Sequence, residues 1–207
     1  MIREIYPKGR VTAEVKSFYH NDDIKTNSNR TSLDLLVKDR KQRVAIELKY
    51  KTAEAGNINI SNDEYSIPWE GAQDISRYSF LSDLERLELS ALRKTGIVGY
   101  AILLTNDPLY WTAPKRQTLD IQFRLHPERQ KLEGSMSWRN KTSSSTKKNR
   151  EKPIVLKSKY PLEWKHYSEI QSIKNSEFRF LLIKIDSNSV GWFFFVFCIK
   201  TECNALH

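Results

Sequence analysis

Two short apolar segments of the chain each carry an acidic residue where a buried strand would hold leucine or valine. They are residues 32–37 and 43–50, joined by the charged sequence KDRKQ. Apolar and β-branched runs on either side of a polar turn predict a β-hairpin. Asp34 lies in the first run, and Glu47 lies in the second with Lys49 two residues further on. Charges inside such runs need a partner, because burying an unpaired charge costs free energy.

The period of a β-strand places Glu47 and Lys49 on the same face, because alternate side chains of a strand point the same way. If the hairpin turns around Arg40, Asp34 lies opposite or diagonal to Glu47, and facing residues are about 4.5–5.5 Å apart at their Cβ atoms. Two carboxylates at that distance repel each other. A shared proton, the ammonium group of Lys49 or a bound divalent cation would relieve the repulsion.

An acid followed two residues later by a lysine is not a specific pattern by itself. The Glu47–Lys49 pair is distinguished by its apolar strand segment and by the second acid in the neighbouring segment. The alternative interpretation is an amphipathic hairpin with a solvated charged face and a surface salt bridge. The same spacing recurs without that context at Glu14–Lys16, Asp23–Lys25, Asp39–Lys41 and Glu163–Lys165.

The stretch SLDLLV…VAIELKYKT resembles the PD-(D/E)XK nuclease superfamily, which has the restriction-endonuclease-like fold. The resemblance implies an α/β core with a central mixed β-sheet flanked by helices. It also implies Mg²⁺-dependent hydrolysis of phosphodiesters, with Mn²⁺ as an alternative ion. By the motif, Asp34 would be the first metal-binding acid, Glu47 the second acid and Lys49 the catalytic lysine. Leu33 stands where members of the superfamily often have proline.

Three further positions complete the set of site residues that the resemblance implies. The backbone carbonyl of Leu48 would join the two acids as a metal ligand. Gln73 would match a glutamine that some members carry on the helix after the motif strand, although its spacing to Tyr78 is one residue longer than theirs. Glu14 would match a metal-binding acid on a first helix, expected at 11–20. The alternative for Glu14 is an exposed helical glutamate.

The rest of the chain predicts a mixed α/β sheet protein with additional C-terminal strands. The strongest helix is expected at 71–96, where apolar residues recur every three positions from Ile75 to Leu87. A polar loop is expected at 53–70. Further strands are expected at 97–105, 119–125, 132–138, 153–158, 178–185 and 190–199.

We expect one globular domain with a basic segment inserted in it. A nuclease-like core would cover 1–138, a flexible basic loop or linker 139–152, and C-terminal strands packed on the same domain 153–207. The two cysteines form neither a zinc motif nor a disulfide framework, which predicts a cytoplasmic location. The longest apolar run, VGWFFFVFCI, is too short to span a bilayer, so no membrane partner is expected.

The charge of the chain favours a polyanionic partner. The 207 residues have a formal net charge of +9, a balance typical of proteins that bind nucleic acid. Segment 139–152 holds six lysines and arginines and one acid. Lys147, Lys148 and Arg150 are therefore the expected phosphate contacts. The alternative is that this segment is a solvated linker.

The resemblance and the charge together predict a metal-dependent nuclease that hydrolyses phosphodiester bonds of DNA, acting as an endonuclease. Cutting both strands of a duplex often calls for two active sites, so a homodimer is an expected assembly. Two alternatives stay open. One is a non-catalytic nucleic-acid-binding protein on the same fold, and the other is an interaction protein whose charged hairpin is only a surface feature.

Replacing Lys147, Lys148 and Arg150 together with glutamine should weaken DNA binding about equally for all sequences, because phosphate contacts carry no base information. The slope of log Kobs against log salt concentration should fall by roughly 0.9 per lost contact, so by up to about 3 on duplex DNA. Fluorescence anisotropy at several salt concentrations measures this slope. An unchanged slope would show that the segment is a solvated linker.

Overall fold

The computed structural model describes residues 10–16, 18–19, 32–39, 42–60, 63–93, 96–171 and 173–186. Their helices are α1 (Gln73–Arg93) and the one-turn α2 (Ser144–Lys147). Their strands are β1 (Arg10–Val15), β2 (Leu33–Lys38), β3 (Arg43–Lys51), β4 (Gly56–Ile60), β5 (Asp63–Ile67), β6 (Ile97–Thr105), β7 (Lys131–Met136), β8 (Ile154–Pro161), β9 (Trp164–Glu169) and β10 (Glu177–Asp186).

Six of these strands form a mixed central sheet in the order β1-β2-β3-β6-β10-β9. β3 and β6 are parallel, with Arg43 opposite Ile97 and Lys51 opposite Thr105, and the other neighbouring pairs are antiparallel. A parallel pair needs a crossover connection, and α1 lies on the connection from β3 to β6. The remaining strands form two antiparallel hairpins, β4–β5 and β7–β8.

Helix α1 lies between the sheet and the β7–β8 hairpin. Its buried Leu84 belongs to one core cluster with Ala45 and Leu103 of the sheet and with Met136 and Leu156 of the hairpin. The alternating strand pattern and the three-residue spacing of the helix both supply this core. Because α1 is covered on two sides, it also buries polar residues, namely Ser76, Arg77, Asp83, Glu88 and Ser90.

Two glutamates of α1 fix the β7–β8 hairpin through the backbone of β8. Glu88, only 1% exposed, accepts hydrogen bonds from the backbone N–H groups of Lys157 and Ser158, both at 2.7 Å. Glu85 accepts the backbone N–H of Val155, also at 2.7 Å. Hydrogen bonds to a charged acceptor are stronger than neutral ones, so these contacts hold the hairpin on the helix.

The structure confirms several of the elements expected from the sequence, including the β2–β3 hairpin, α1 and β6. The first helix expected at 11–20 is wrong over its described first part, because residues 10–15 form β1 and pair with β2 from Arg10 opposite Lys38 to Val15 opposite Leu33. Pairing with a neighbouring strand decides the conformation of this short segment, which its own sequence leaves open.

The polar loop expected at 53–70 contains the β4–β5 hairpin. Ile58 of β4 and Ile67 of β5 pack with Phe178 of β10, so each strand of this hairpin contributes one isoleucine to an apolar cluster. The strand β9 is also additional to the expected elements. Its sequence WKHYSE is mostly exposed and lacks an apolar alternation, so only pairing with β10 makes it a strand.

The strand expected at 119–125 is wrong, because the chain forms a 3-10 turn at Ile121–Phe123. The carboxylate of Asp120, buried just before the turn, accepts hydrogen bonds from Arg77 at 2.7 Å and from Arg124 at 3.1 Å. Both contacts draw the chain inwards at this point. The strand expected at 190–199 lies outside the described residues.

The helices of the described residues do not include one that is long and apolar enough to cross a membrane. The longer of the two, α1, carries charged side chains along its length. The mixed sheet, rather than a helical bundle, is the element around which this part of the chain is organised.

Replacing Glu88 with alanine should lower the free energy of unfolding by about 3 kcal/mol, because two backbone N–H groups and the hydroxyl of Tyr160 lose their acceptor. Urea denaturation measures the difference. The exposed Glu54 is the matched control, and its replacement by alanine should change stability by less than about 0.5 kcal/mol. Equal losses in the two variants would contradict the assigned role of Glu88.

Candidate active site

Strand β3 presents Glu47 and Lys49 to helix α1. Glu47 is 5% exposed, and the ammonium group of Lys49 lies 2.8 Å from the Oδ2 atom of Asp83 and donates to the hydroxyl of Ser79 at 2.9 Å. Leu48, between them, points to the opposite face and is half exposed. An acid and a lysine therefore occupy a position of the sheet where α1 would otherwise meet apolar side chains.

Asp34 lies beside Glu47 at the end of the paired part of β2 and β3. The antiparallel register runs to Leu35 opposite Ile46, and its continuation puts Asp34 next to Glu47. The Oδ2 atom of Asp34 accepts the backbone N–H of Leu48 at 2.7 Å. The side chain of Asp34 thus bonds to β3 at the point where the backbone pairing of the two strands ends.

Glu47 is the most perturbed acid of this cluster. Burial raises its pKa to about 8, and the neighbouring negative charges of Asp83 and, to a lesser extent, Asp34 act in the same direction. The hydroxyl of Tyr19 donates to its Oε1 atom, and the Nη2 atom of Arg86 lies 3.5 Å away. These contacts lower the pKa of Glu47 without outweighing burial.

Helix α1 contributes three polar residues to the cluster. Ser79, Asp83 and Arg86 follow one another at spacings of four and three residues, which places them on one face of the helix. Asp83 is 8% exposed and uses both carboxylate oxygens, accepting Lys49 on Oδ2 and Arg86 on Oδ1. One acid of the helix therefore holds two cations of the site.

Sequence reasoning did not identify Tyr19, Asp83 or Arg86. The signal for Asp83 and Arg86 was a polar stripe at helical spacing beside the apolar one, and such a stripe is usually solvent-exposed. Here it is buried, because α1 packs across β3. Tyr19 carried no comparable signal in the sequence.

The structure places Gln73 away from this cluster. It is the first residue of α1, and its Nε2 atom donates to the Oδ2 atom of Asp107 at 3.0 Å. It precedes Ser79 by six residues, or about 9 Å along the helix. Tyr78, the aromatic residue of the same expected pair, donates its hydroxyl to the backbone carbonyl of Lys152.

Glu14 lies on the edge strand β1 and not on a helix. It falls between the pairs Ala13–Leu35 and Val15–Leu33, which brings it across from Asp34. Its φ of 49° is in the left-handed region, which non-glycine residues seldom adopt. This backbone conformation breaks the alternation of β1, and Glu14 is exposed.

The basic residues expected to contact phosphates lie in and just after α2. Ser143 caps this single turn by accepting the backbone N–H of Thr146. Lys148 is exposed, and Lys147 and Arg150 are partly exposed. The segment is tied to the core because the indole N–H of Trp138 donates to the carbonyl of Arg150 at 3.0 Å.

The end of the β2–β3 pairing, at Asp34, offers oxygen ligands of the kind that a small divalent cation prefers. The backbone N–H of Leu48 points towards β2, and the carbonyl of the same strand residue points to the same side. Asp34 and Glu47 are neighbours in register, so two carboxylates and one backbone carbonyl occur near this point. Mg²⁺ usually binds one or two carboxylates and retains several waters, so this number of protein ligands fits the ion. Within the described ranges, no group of three or more His, Cys, Asp and Glu side chains is arranged to hold a metal ion.

Comparison with known proteins adds no relative to this description. No protein-family model matches the chain, and neither a curated protein nor a solved structure matches it. The resemblance of the hairpin to PD-(D/E)XK nucleases remains a prediction from the sequence.

Replacing Glu47 with glutamine should remove a pH dependence of stability. The pKa of Glu47 is about 8 in the folded protein and 4.5 ordinarily, so the folded state holds an extra proton between these pH values. The parent should lose stability relative to Glu47→Gln as pH rises through this window, with a slope approaching about 1.4 kcal/mol per pH unit. Urea denaturation of both proteins across the window measures the difference. A difference that is independent of pH would contradict the raised pKa.

Proposed function

We propose that the protein is a metal-dependent nuclease that hydrolyses phosphodiester bonds of DNA, acts as an endonuclease and has a restriction-endonuclease-like core. The observation that carries this proposal is that Asp34 lies next to Glu47 in register, while Glu47 and Lys49 face α1 and are both influenced by Asp83. The three residues come from two neighbouring strands, although only two of them are close in sequence. A solvated amphipathic hairpin would have no need to bury Glu47.

Each residue of the cluster has a chemical task in this proposal. Asp34, Glu47 and the carbonyl of Leu48 would hold the divalent ion. When bound, such an ion supplies Lewis-acid chemistry, which favours loss of a proton from water and withdraws charge from the phosphate. The ammonium group of Lys49 would orient the attacking water or stabilise the negative charge that develops on the phosphate. Asp83 holds this ammonium group at 2.8 Å.

The architecture and the charge support the same assignment. The central sheet is mixed, and the strand with Glu47 and Lys49 has an antiparallel neighbour carrying Asp34 on one side and a parallel neighbour on the other. The net charge of +9 and the basic residues around α2 suit a polyanionic substrate. Mg²⁺ is the proposed ion, with Mn²⁺ as the alternative, and a homodimer is the proposed assembly for cutting a duplex.

One observation favours a second candidate, a non-catalytic nucleic-acid-binding protein on the same fold. The cluster already pairs its own charges, because Lys49 and Arg86 both contact Asp83, and Glu47 accepts the hydroxyl of Tyr19. Such a network can serve the fold alone, as buried ion pairs do elsewhere. Cleavage of DNA separates the two candidates, since only the first requires it.

The purified protein should cleave DNA in the presence of Mg²⁺ or Mn²⁺, and EDTA should stop the reaction. Lys49→Ala and Glu47→Gln should each lower the cleavage rate by at least about 100-fold, the usual order for removing one group that stabilises the transition state. A gel assay with labelled duplex and single-stranded DNA measures both rates. Circular dichroism of the variants shows whether the fold is retained.

The chain offers a matched control in Glu163 and Lys165, which have the same spacing and are both exposed. Glu163→Gln and Lys165→Ala should cleave as fast as the parent. If folded Lys49→Ala also keeps the parent rate, the catalytic assignment is wrong. DNA binding that persists without any cleavage by the parent would favour the non-catalytic candidate.

A further inference from the structure

Arg86 is the cation of the cluster that the proposed mechanism leaves without a task. Its side chain is 17% exposed, and its guanidinium lies over the ring of Tyr19, 5.0 Å from the ring centroid. Its Nη2 atom contacts the Oδ1 atom of Asp83 and lies 3.5 Å from the Oε1 atom of Glu47. Packing against the tyrosine and the aspartate fixes the plane of the guanidinium within the site.

The donors of this guanidinium are only partly used. At 3.5 Å the contact with Glu47 is longer than a good hydrogen bond, so it is an ion pair with little directional bonding. The buried Nε atom has no hydrogen-bond partner within the described part of the chain. A guanidinium has five N–H donors in a fixed fork that matches the oxygens of a phosphate. Because Nε is itself buried, a phosphate would have to be bound by the terminal N–H groups of this partly exposed side chain.

The charge balance of the cluster also favours a phosphate as the ligand. A divalent cation held by Asp34 and Glu47 would require Glu47 to be ionised, and the cluster would then have three negative charges, from Asp34, Glu47 and Asp83, and two positive charges, from Lys49 and Arg86. A divalent cation would turn this excess of one negative charge into an excess of one positive charge. A phosphodiester group carries one negative charge and would balance it.

We propose that Arg86 is a substrate-binding residue that donates a hydrogen bond to a non-bridging oxygen of a DNA phosphate. The phosphate would lie near Lys49, and the carboxylate of Asp83 would hold Arg86 in place. This inference rests on the proposed nuclease function, since it places the phosphate at the same cluster. Asp83 positions both cations, one on each carboxylate oxygen. If Glu47 were to hold the divalent ion, Arg86 would still be held by Asp83 and by the ring of Tyr19, and it would lose only its 3.5 Å contact with Glu47.

The test compares Arg86→Gln and Arg86→Lys with the parent. Binding of a labelled DNA duplex is measured by anisotropy with Ca²⁺ and with EDTA, and a gel shows that the duplex stays intact. Arg86→Gln should weaken binding roughly 10- to 100-fold, as expected for loss of a hydrogen bond between charged groups. The slope of log Kobs against log salt concentration should fall by about 0.9, the value for one phosphate contact.

Arg86→Lys keeps the positive charge but loses the planar set of guanidinium donors. It should therefore have the salt slope of the parent but only part of the parent's affinity. The matched control is Arg93→Gln, because Arg93 is an exposed arginine in the last turn of the same helix. It should bind DNA like the parent. Thermal melting of each variant separates a loss of stability from a loss of binding, because a purely structural role would leave the salt slope unchanged.

The outcomes distinguish this inference from the proposed function. If the parent cleaves DNA and folded Arg86→Gln keeps the affinity, the KM and the salt slope of the parent, the inference is overturned and the nuclease assignment stands. If the parent binds without cleaving, the nuclease assignment fails, and reduced affinity with a smaller slope in Arg86→Gln still supports the phosphate contact. A parent that binds no DNA overturns both.

Discussion

The parallel pairing of β3 with β6 is the constraint on which the rest of this structure depends. Two parallel neighbours cannot be joined by a tight turn, so the chain has to cross over the sheet between them, and α1 lies on that crossover. The helix then packs against the face that carries Ala45, Glu47 and Lys49. The position of the candidate site follows from this connection.

Burial of α1 on two sides explains why several of its charged residues form close pairs. Asp83 meets two cations, Glu88 meets backbone donors of β8, and Arg77 donates to Asp120 at 2.7 Å. A charged group removed from water without a partner would cost several kcal/mol. The helix can therefore lie between two layers only because each layer supplies complementary groups.

The elements that could be predicted from the sequence are those that depend on local patterns of apolar residues. The β2–β3 hairpin and the shared face of Glu47 and Lys49 follow from the alternation of a strand, and α1 follows from its apolar spacing. The roles of Asp83 and Arg86 depend on the placement of α1 across β3, which no local pattern contains. The conformation of β1 likewise depends on pairing with a distant strand. Long-range contacts thus account for the parts of the site that the sequence left open.

The carboxylates of Glu85 and Glu88 affect the edge of the two-stranded sheet formed by β7 and β8. A strand at the edge of a sheet exposes backbone groups on which another chain can pair. On β8, the amides of Val155, Lys157 and Ser158 are already occupied by glutamate oxygens of α1. An added strand would find these three donors already bonded to side chains of a helix, which disfavours self-association through this part of β8.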